Sequence, residues 1–376
     1  MLTLALTGEC NLRCRYCYQN AKSGTRMPWT VLQAAADRVL ESTSPRVDVI
    51  FAGGEPLLGF DLIERAVEYI ESRRPADHVV QFSLGTNGTL LGSGTIPFLD
   101  RHRFDIDLSF DGVLPAQAVR GEHSFARIDA ALDELRDKAP DIFWRRLSVG
   151  VTLDAGAVAY LSESFSYFLG KQLPSISMSP AAGQAARWTP DVLNTLEREL
   201  KKVYAISRHH YEDTGAVPLA AFQKTAGGRR ARRQVVCGAA QSGKVTVDAD
   251  GQVYACPMLA ESSQRFANPG LAAIVRPMRM GSVTSPGFWQ QLADLPGQAR
   301  ATGIFQIGPR RHSLHGPCIR CPHRRDCKAC PVAVLSEPAH EDAQRIPDYL
   351  CAFNWTLMGL RKRFPVQAAP GAPSQG

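Results

Sequence analysis

Apolar positions in the first half of the chain change period in a regular way. Short runs in which apolar or β-branched residues crowd or alternate read as strands: LTLALT from residue 2, VDVIFA from 47, HVVQFSL from 78, FDIDLSF from 104, LSVGVTL from 147 and SISMS from 175. Between them lie longer stretches with apolar residues three and four apart, WTVLQAAADRVLE from 29, FDLIERAVEYIESRR from 60 and FARIDAALDELRDK from 125, with a shorter helix near 95–101. Strands joined by connections this long pair in parallel through right-handed crossovers, so the expected fold is α/β, an open or closed barrel. The loops at the carboxyl ends of its strands then form the working face. Residues 187–210 read as one long helix ending in His209 and His210, followed by the arginine-rich GGRRARRQ. A boundary near 225 is expected, with a barrel and connecting helix over 1–225 and a second unit over 226–365. The Pro-, Gly- and Ala-rich stretch 366–376 lacks the apolar residues to pack and reads as a disordered tail.

Composition narrows the partners more than the fold. With 376 residues, 44% hydrophobic and 21% charged, the chain can bury one large core or two ordinary ones. Forty-three Lys and Arg against 36 Asp and Glu leave only +7, and Arg229, Arg230, Arg232 and Arg233 read as a solvated linker face. Nucleic acid is therefore not an expected partner. No apolar run approaches the ~20 residues that cross a bilayer, and no basic export signal opens the sequence, so a cytoplasmic, reducing location is expected and no membrane partner. There, clustered cysteines serve as metal ligands or catalysts more often than as disulfides. The 10 cysteines fall in two groups: Cys10, Cys14 and Cys17, then Cys237, Cys256, Cys318, Cys321, Cys327, Cys330 and Cys351.

The first group has the spacing C-x3-C-x2-C directly after the first strand. Three thiolates in so short a loop suit three corners of a [4Fe-4S] cubane and leave its fourth iron open to another ligand. Structural zinc wants four closed ligands, and neither a His nor a fourth Cys stands nearby in sequence. With Tyr16, these cysteines resemble the Cys-x3-Cys-x-aromatic-Cys motif of the radical S-adenosylmethionine (radical SAM) enzymes. Three further segments are similar to that family's motifs: Gly53-Gly54-Glu55-Pro56 after the second strand, Thr86-Asn87-Gly88 after the third, and Ser109-Phe110-Asp111-Gly112 with Arg120 after the fourth. The resemblance implies a partial (β/α)6 barrel in which Tyr16 lies against adenine and the Gly53–Glu55 loop holds the SAM amino group. It further implies that Ser109 touches ribose or carboxylate and Arg120 pairs with the carboxylate, with Thr86 and Asn87 beside them. Asp111 is expected to cap its loop.

The second group reads Cys237-x13-Gly251-x4-Cys256, then Cys318-x2-Cys321-x5-Cys327-x2-Cys330, then Cys351. It resembles the SPASM extension of radical SAM enzymes, with x2 where that pattern has x3 before the last clustered cysteine. The resemblance implies two auxiliary [4Fe-4S] clusters, making three in all. Cys318, Cys321, Cys327 and Cys351 would close one. Cys237, Cys256 and Cys330 would hold the other, its fourth ligand being water, another side chain or the substrate. On the residues alone, a zinc ribbon built from the CxxC pairs and a purely bracing role both stay open.

What the resemblance implies for function is reductive cleavage of SAM to a 5′-deoxyadenosyl radical, hydrogen abstraction from a precursor peptide, and oxidative closure of a C–C or thioether crosslink. The alternatives are a SPASM dehydrogenase acting on a sugar or amino acid derivative, and sulfatase-maturating oxidation. A non-catalytic iron-sulfur redox sensor is a further alternative. The sulfatase-maturating branch uses an acidic residue where Pro257 stands here, and no residue stands out as a substrate base. The sequence enters its first strand at residue 2 with no leader-binding domain before it, so the expectation is that a separate leader-binding protein delivers the peptide, that the barrel reads a short core motif itself, or that the substrate is not a ribosomal peptide. A flavodoxin- or ferredoxin-like donor is expected to supply the low-potential electron.

Overall fold

The computed structural model describes residues 1–19, 24–183, 185–223, 237, 239, 243–260, 278–302, 305, 309–327, 329–335, 337, 342 and 344–365. The arginine run of 229–233, the boundary expected near 225, the x2 segment residue Lys328 and the tail expected over 366–376 lie outside them.

Six parallel strands form the frame: β1 (Leu2–Ala5), β2 (Arg46–Ala52), β3 (Val79–Thr86), β4 (Asp105–Ser109), β5 (Leu147–Leu153) and β6 (Ile176–Pro180). They lie side by side in chain order. Helices α1 (Trp29–Leu40), α2 (Phe60–Glu71), α3 (Ile96–Arg101), α4 (Leu114–Gln117), α5 (Ser124–Lys138) and α6 (Leu161–Gly170) make the crossovers. In α1 the residues Leu32, Ala35, Ala36 and Val39 are buried, a stripe at helical spacing that packs on the sheet. Strand β5 alternates buried Leu147, Val149, Val151 and Leu153 with less buried neighbours, as a sheet with two different faces requires. Stacked Phe51, Phe82 and Phe104, with ring centroids 5.6–6.2 Å apart, extend one core layer across β2 and β3.

Among the described residues the sheet stays open and continues on the far side of β1. Strand β7 (Val245–Val247) pairs with β1 in parallel, Leu2 opposite Val245, and β8 (Gln252–Tyr254) and β9 (Arg279–Ser282) add antiparallel strands. The six parallel strands match the expected partial barrel, with β7 to β9 extending its sheet. Its first strand is buried along its whole length between β2 and β7.

The long helix expected over 187–210 is α7 (Pro190–Thr214). Its start is set by the Thr189 hydroxyl, which accepts from the Val192 N–H, and by Pro190, whose missing N–H costs nothing in the first turn. After α8 (Phe288–Thr302), the hairpin β10 (His312–Ser313) and β11 (Gly316–Pro317), and α9 (Pro331–Leu335), the described chain ends in α10 (Asp348–Arg363). This last helix packs on α7 and β6, over the carboxyl ends of the parallel strands.

Candidate active site

The loop after β1 is fastened before its cysteines appear. Gly54 N–H donates to the Thr7 carbonyl at 2.7 Å and Glu55 N–H to the Glu9 carbonyl at 2.8 Å, so the loop after β2 is stapled to the loop after β1. That approach leaves no room for side chains: a Cβ on Gly53 would stand 2.5 Å from the Thr7 oxygen, and one on Gly54 1.9 Å from the Glu9 oxygen. Further on, Arg15 N–H donates to the Val119 carbonyl at 2.9 Å, and the Arg15 guanidinium pairs with buried Asp154. Between these anchors sit Cys10, Cys14 and Cys17. The Cys10 sulfur accepts the Leu12 N–H at 3.4 Å and the Asn87 amide at 3.8 Å.

Above them opens a cavity of about 680 Å³, the size of an ordinary small-molecule site. It is lined by Cys10, Cys14, Cys17, Tyr16, Gly53, Gly54, Thr86, Asn87, Ser109 and Arg120. Ten sequence-predicted positions on four loops thus converge on one space. Glu55 and Pro56 do not line it. The Glu55 carboxylate is wholly buried and turned inward: Thr86 Oγ1 donates to it at 2.7 Å, Asn87 N–H at 2.8 Å and Leu57 N–H at 3.1 Å. Burial raises its pKa, against the pull of those three donors. Glu55 therefore ties the second and third loops together.

Asp111, expected to cap its own loop, instead joins four segments. It takes a bidentate pair from Arg120, with Nε at 2.9 Å and Nη2 at 2.8 Å, the Thr152 N–H at 2.8 Å and the Tyr16 hydroxyl. The guanidinium also lies over the Tyr16 ring, 5.3 Å from its centroid. Tyr16 and Arg120 are thereby held rigid at the cavity wall, while Arg120 Nη1 takes no part in these bonds. Burial pushes the Cys14 thiol up to about 11, against the pull of Arg120 and with Cys17 and Cys10 adding to the rise.

The far wall comes from the carboxyl-terminal part: Leu350, Phe353, Leu357, Met358 and Arg361 of α10, together with Met258 and Cys330. Sequence reasoning missed this wall, because α10 offers only a weak apolar stripe around Cys351. Tyr18, also missed, lines the cavity beside Cys17.

The remaining cysteines lie in two groups. Cys318, Cys321, Cys327 and Cys351 line one small cavity of about 40 Å³, with Arg311, His323 and Trp355 around it. Cys256 lies near Cys330 and Cys237, and burial pushes its thiol up to about 12. No disulfide joins any of the ten cysteines. Among the described residues, no three His, Cys, Asp or Glu side chains converge tightly enough to grip a single metal ion. The donors suit cubane corners: Cys10, Cys14 and Cys17 line one space and Cys318, Cys321, Cys327 and Cys351 another, and half-buried N–H groups of Leu12, Ala239 and His323 donate to the sulfurs of Cys10, Cys237 and Cys321.

A family profile described as the Radical SAM superfamily matches residues 4–151. Over 120 residues the chain is 33% identical to the cysteine-type anaerobic sulfatase-maturating enzyme of Clostridium perfringens, 30% of this chain and 32% of that one. The matched stretch spans about a third of the length of the curated relatives. Among solved structures, anSMEcpe with bound AdoMet and Kp18Cys peptide superposes with a TM-score of 0.74 at 19% identity, covering 96% of both chains. SuiB of Streptococcus suis bound to its precursor peptide SuiA gives 0.56 at 11% identity, covering 93% of this chain and 75% of that one. The chain shares its α/β fold with these proteins. No described helix is long and apolar enough to cross a membrane.

Proposed function

We propose, from the premise that residues 4–151 are a radical SAM domain, that this chain is a peptide maturase which oxidises a small precursor peptide and closes an intramolecular C–C or thioether crosslink. The observation that carries this reading is the single cavity into which Cys10, Cys14 and Cys17 face from one side and Cys330 from the other. When bound, SAM and three [4Fe-4S] clusters supply a 5′-deoxyadenosyl radical that takes one substrate hydrogen, and an acceptor for the electron that leaves, with a proton, as the new bond closes.

The chain's own residues hold and shape that chemistry. Cys10, Cys14 and Cys17 take three irons of the first cluster, and Gly53, Gly54, Thr86, Asn87, Ser109 and Arg120 hold SAM against them. Tyr16, fixed by Asp111, offers its ring to the adenine. Glu55 and Pro56 set the loop rather than touch the cofactor. Cys318, Cys321, Cys327 and Cys351 would hold one auxiliary cluster and Cys237, Cys256 and Cys330 the other, with its fourth ligand open to water, another side chain or the substrate. The apolar side chains of α10 keep water from the reacting carbon.

A peptide is favoured over a sugar or amino acid derivative because the similar structures anSMEcpe and SuiB are each solved with a peptide bound. Sulfatase-type oxidation of a cysteine is the second reading, supported by the Clostridium perfringens relative. Pro257 in the place of that branch's acidic residue weighs against it. A separate leader-binding protein, a flavodoxin- or ferredoxin-like donor and a cytoplasmic setting complete the proposal. We further propose that the unit over 1–225 carries the SAM site and the one over 226–365 the auxiliary clusters.

The test is iron, labile sulfide and 5′-deoxyadenosine on anaerobically reconstituted protein, for the wild type and for Cys10, Cys14 and Cys17 changed together to Ala. About twelve irons falling to about eight, with deoxyadenosine lost, is the expected result. Deoxyadenosine formed undiminished by the triple variant would remove the assigned radical site.

A further inference from the structure

Arg311 is buried between the two carboxyl-terminal cysteine sets, 5% exposed, without a carboxylate partner among the described residues. One guanidinium nitrogen, Nη2, donates to the Ala329 carbonyl at 3.1 Å, next to Cys330. The other, Nη1, is buried and has no hydrogen-bond partner among the described residues. The Arg311 carbonyl accepts the Cys318 N–H at 2.8 Å, which fixes the arginine to the first CxxC turn. Its side chain lines the small cavity shared by Cys318, Cys321, Cys327 and Cys351. Burial works against its charge, and the groups that act in its favour are Cys327, Cys318, Cys330 and Cys237, two from each set.

A buried guanidinium without an anion is costly, and an unmade N–H bond adds to the cost. Thiolates and the sulfides of bound clusters are the anions that this position offers, and N–H donors and positive charge beside a cluster favour its reduced, more negative state. Resting on the auxiliary-cluster reading above, we propose that Arg311 is a shared counter-charge for both auxiliary clusters, donating Nη1 to sulfur and holding their reduction potentials high enough to take the electron that leaves the substrate. It is a positioning residue, since it acts through the clusters and touches no substrate in this arrangement.

The experiment uses full-length protein with Cys10, Cys14 and Cys17 changed to Ala, so that only the auxiliary clusters contribute to an EPR-monitored redox titration. Arg311→Gln is expected to lower the reduced-to-oxidised ratio at a fixed potential at least tenfold, which is about 59 mV for a one-electron couple. Arg311→Lys, which keeps the charge, is expected to recover most of that shift. Iron lost from Arg311→Gln but kept in Arg311→Lys also supports the proposal, because charge is then what the sites need. An unchanged ratio in a fully loaded Arg311→Gln protein overturns it, as does iron lost equally from both variants, where shape rather than charge is at stake. A triple-Ala parent that binds no iron at all overturns the cluster reading itself and the Arg311 proposal with it.

Discussion

At the scale of single residues, the site depends on two buried carboxylates that do not face the cavity. Removing the side chain in Asp111→Ala leaves the Arg120 charge buried beside Tyr16 and Thr152 with nothing to pair it, and the loss of one member of such a pair costs about 3–5 kcal/mol. Denaturant unfolding of the cluster-free protein is expected to show that loss, and Asp111→Asn less of it. Glu55 differs in sign. Its folded pKa lies above its ordinary 4.5, so the fold holds this proton more tightly than the unfolded chain does. Its contribution to stability is complete below about pH 4.5 and is lost as pH rises through the higher folded value. Glu55→Gln, which resembles the protonated acid, is expected to flatten that part of the stability profile; an unchanged slope would show that another group sets it. Neither role was legible in sequence. Spacing shows that Glu55, Thr86 and Asp111 follow strands, whereas the direction in which each carboxylate turns depends largely on neighbours 31 to 95 residues away.

Elements were legible in proportion to how far their pattern ran. Strands β1 to β6 and helices α1, α2, α5 and α7 each carry enough residues to display a period, and the structure places them where that period suggested. Strand β7 has three residues and no period, so the extension of the sheet beyond β1 was hidden. The helix α6 between β5 and β6 also went unread, its SESFSYF stretch giving few spaced apolar positions. Yet the cysteine pattern contained a clue to the β7–β8 hairpin, because its single glycine, Gly251, sits at φ +86° in the turn, donating to Asp248 and accepting from Val283. Gly251→Ala forces a Cβ into left-handed backbone, 3.2 Å from a Val31 methyl, at a cost of about 1–2 kcal/mol. Thermal unfolding is expected to show it, with the cluster proposed at Cys256 losing iron before the one proposed at Cys10. In α10, Leu357→Trp is expected to fill the cavity wall, cutting peptide product while uncoupled 5′-deoxyadenosine persists. The ratio of the two products measures this, and equal losses would mean that SAM itself had been displaced.

At the scale of the whole molecule, one carboxylate fastens the cysteine-rich part to the parallel strands. Glu337 accepts the N–H groups of Gly183 and Ala185 at 2.9 and 2.8 Å, just beyond β6, and the Tyr349 hydroxyl at 2.5 Å from α10. Glu337→Ala removes all three bonds, and orphaning the buried Tyr349 hydroxyl among them costs about 1–3 kcal/mol. Faster hydrogen exchange at both 181–188 and 348–352, with β2 and β3 unchanged, is the expected signature. The sheet itself makes a longer-range tie, since the strand that carries the first cysteine loop lies between Val49 and Val245. During synthesis that strand gains one neighbour as soon as residue 52 emerges and the other only when residue 247 has followed. At about 5–20 residues per second, one flank of LTLA stands open for roughly 10–40 s, a template for any passing strand. Crowded expression should therefore trap this chain, and slow translation, by lengthening that window, should trap more of it.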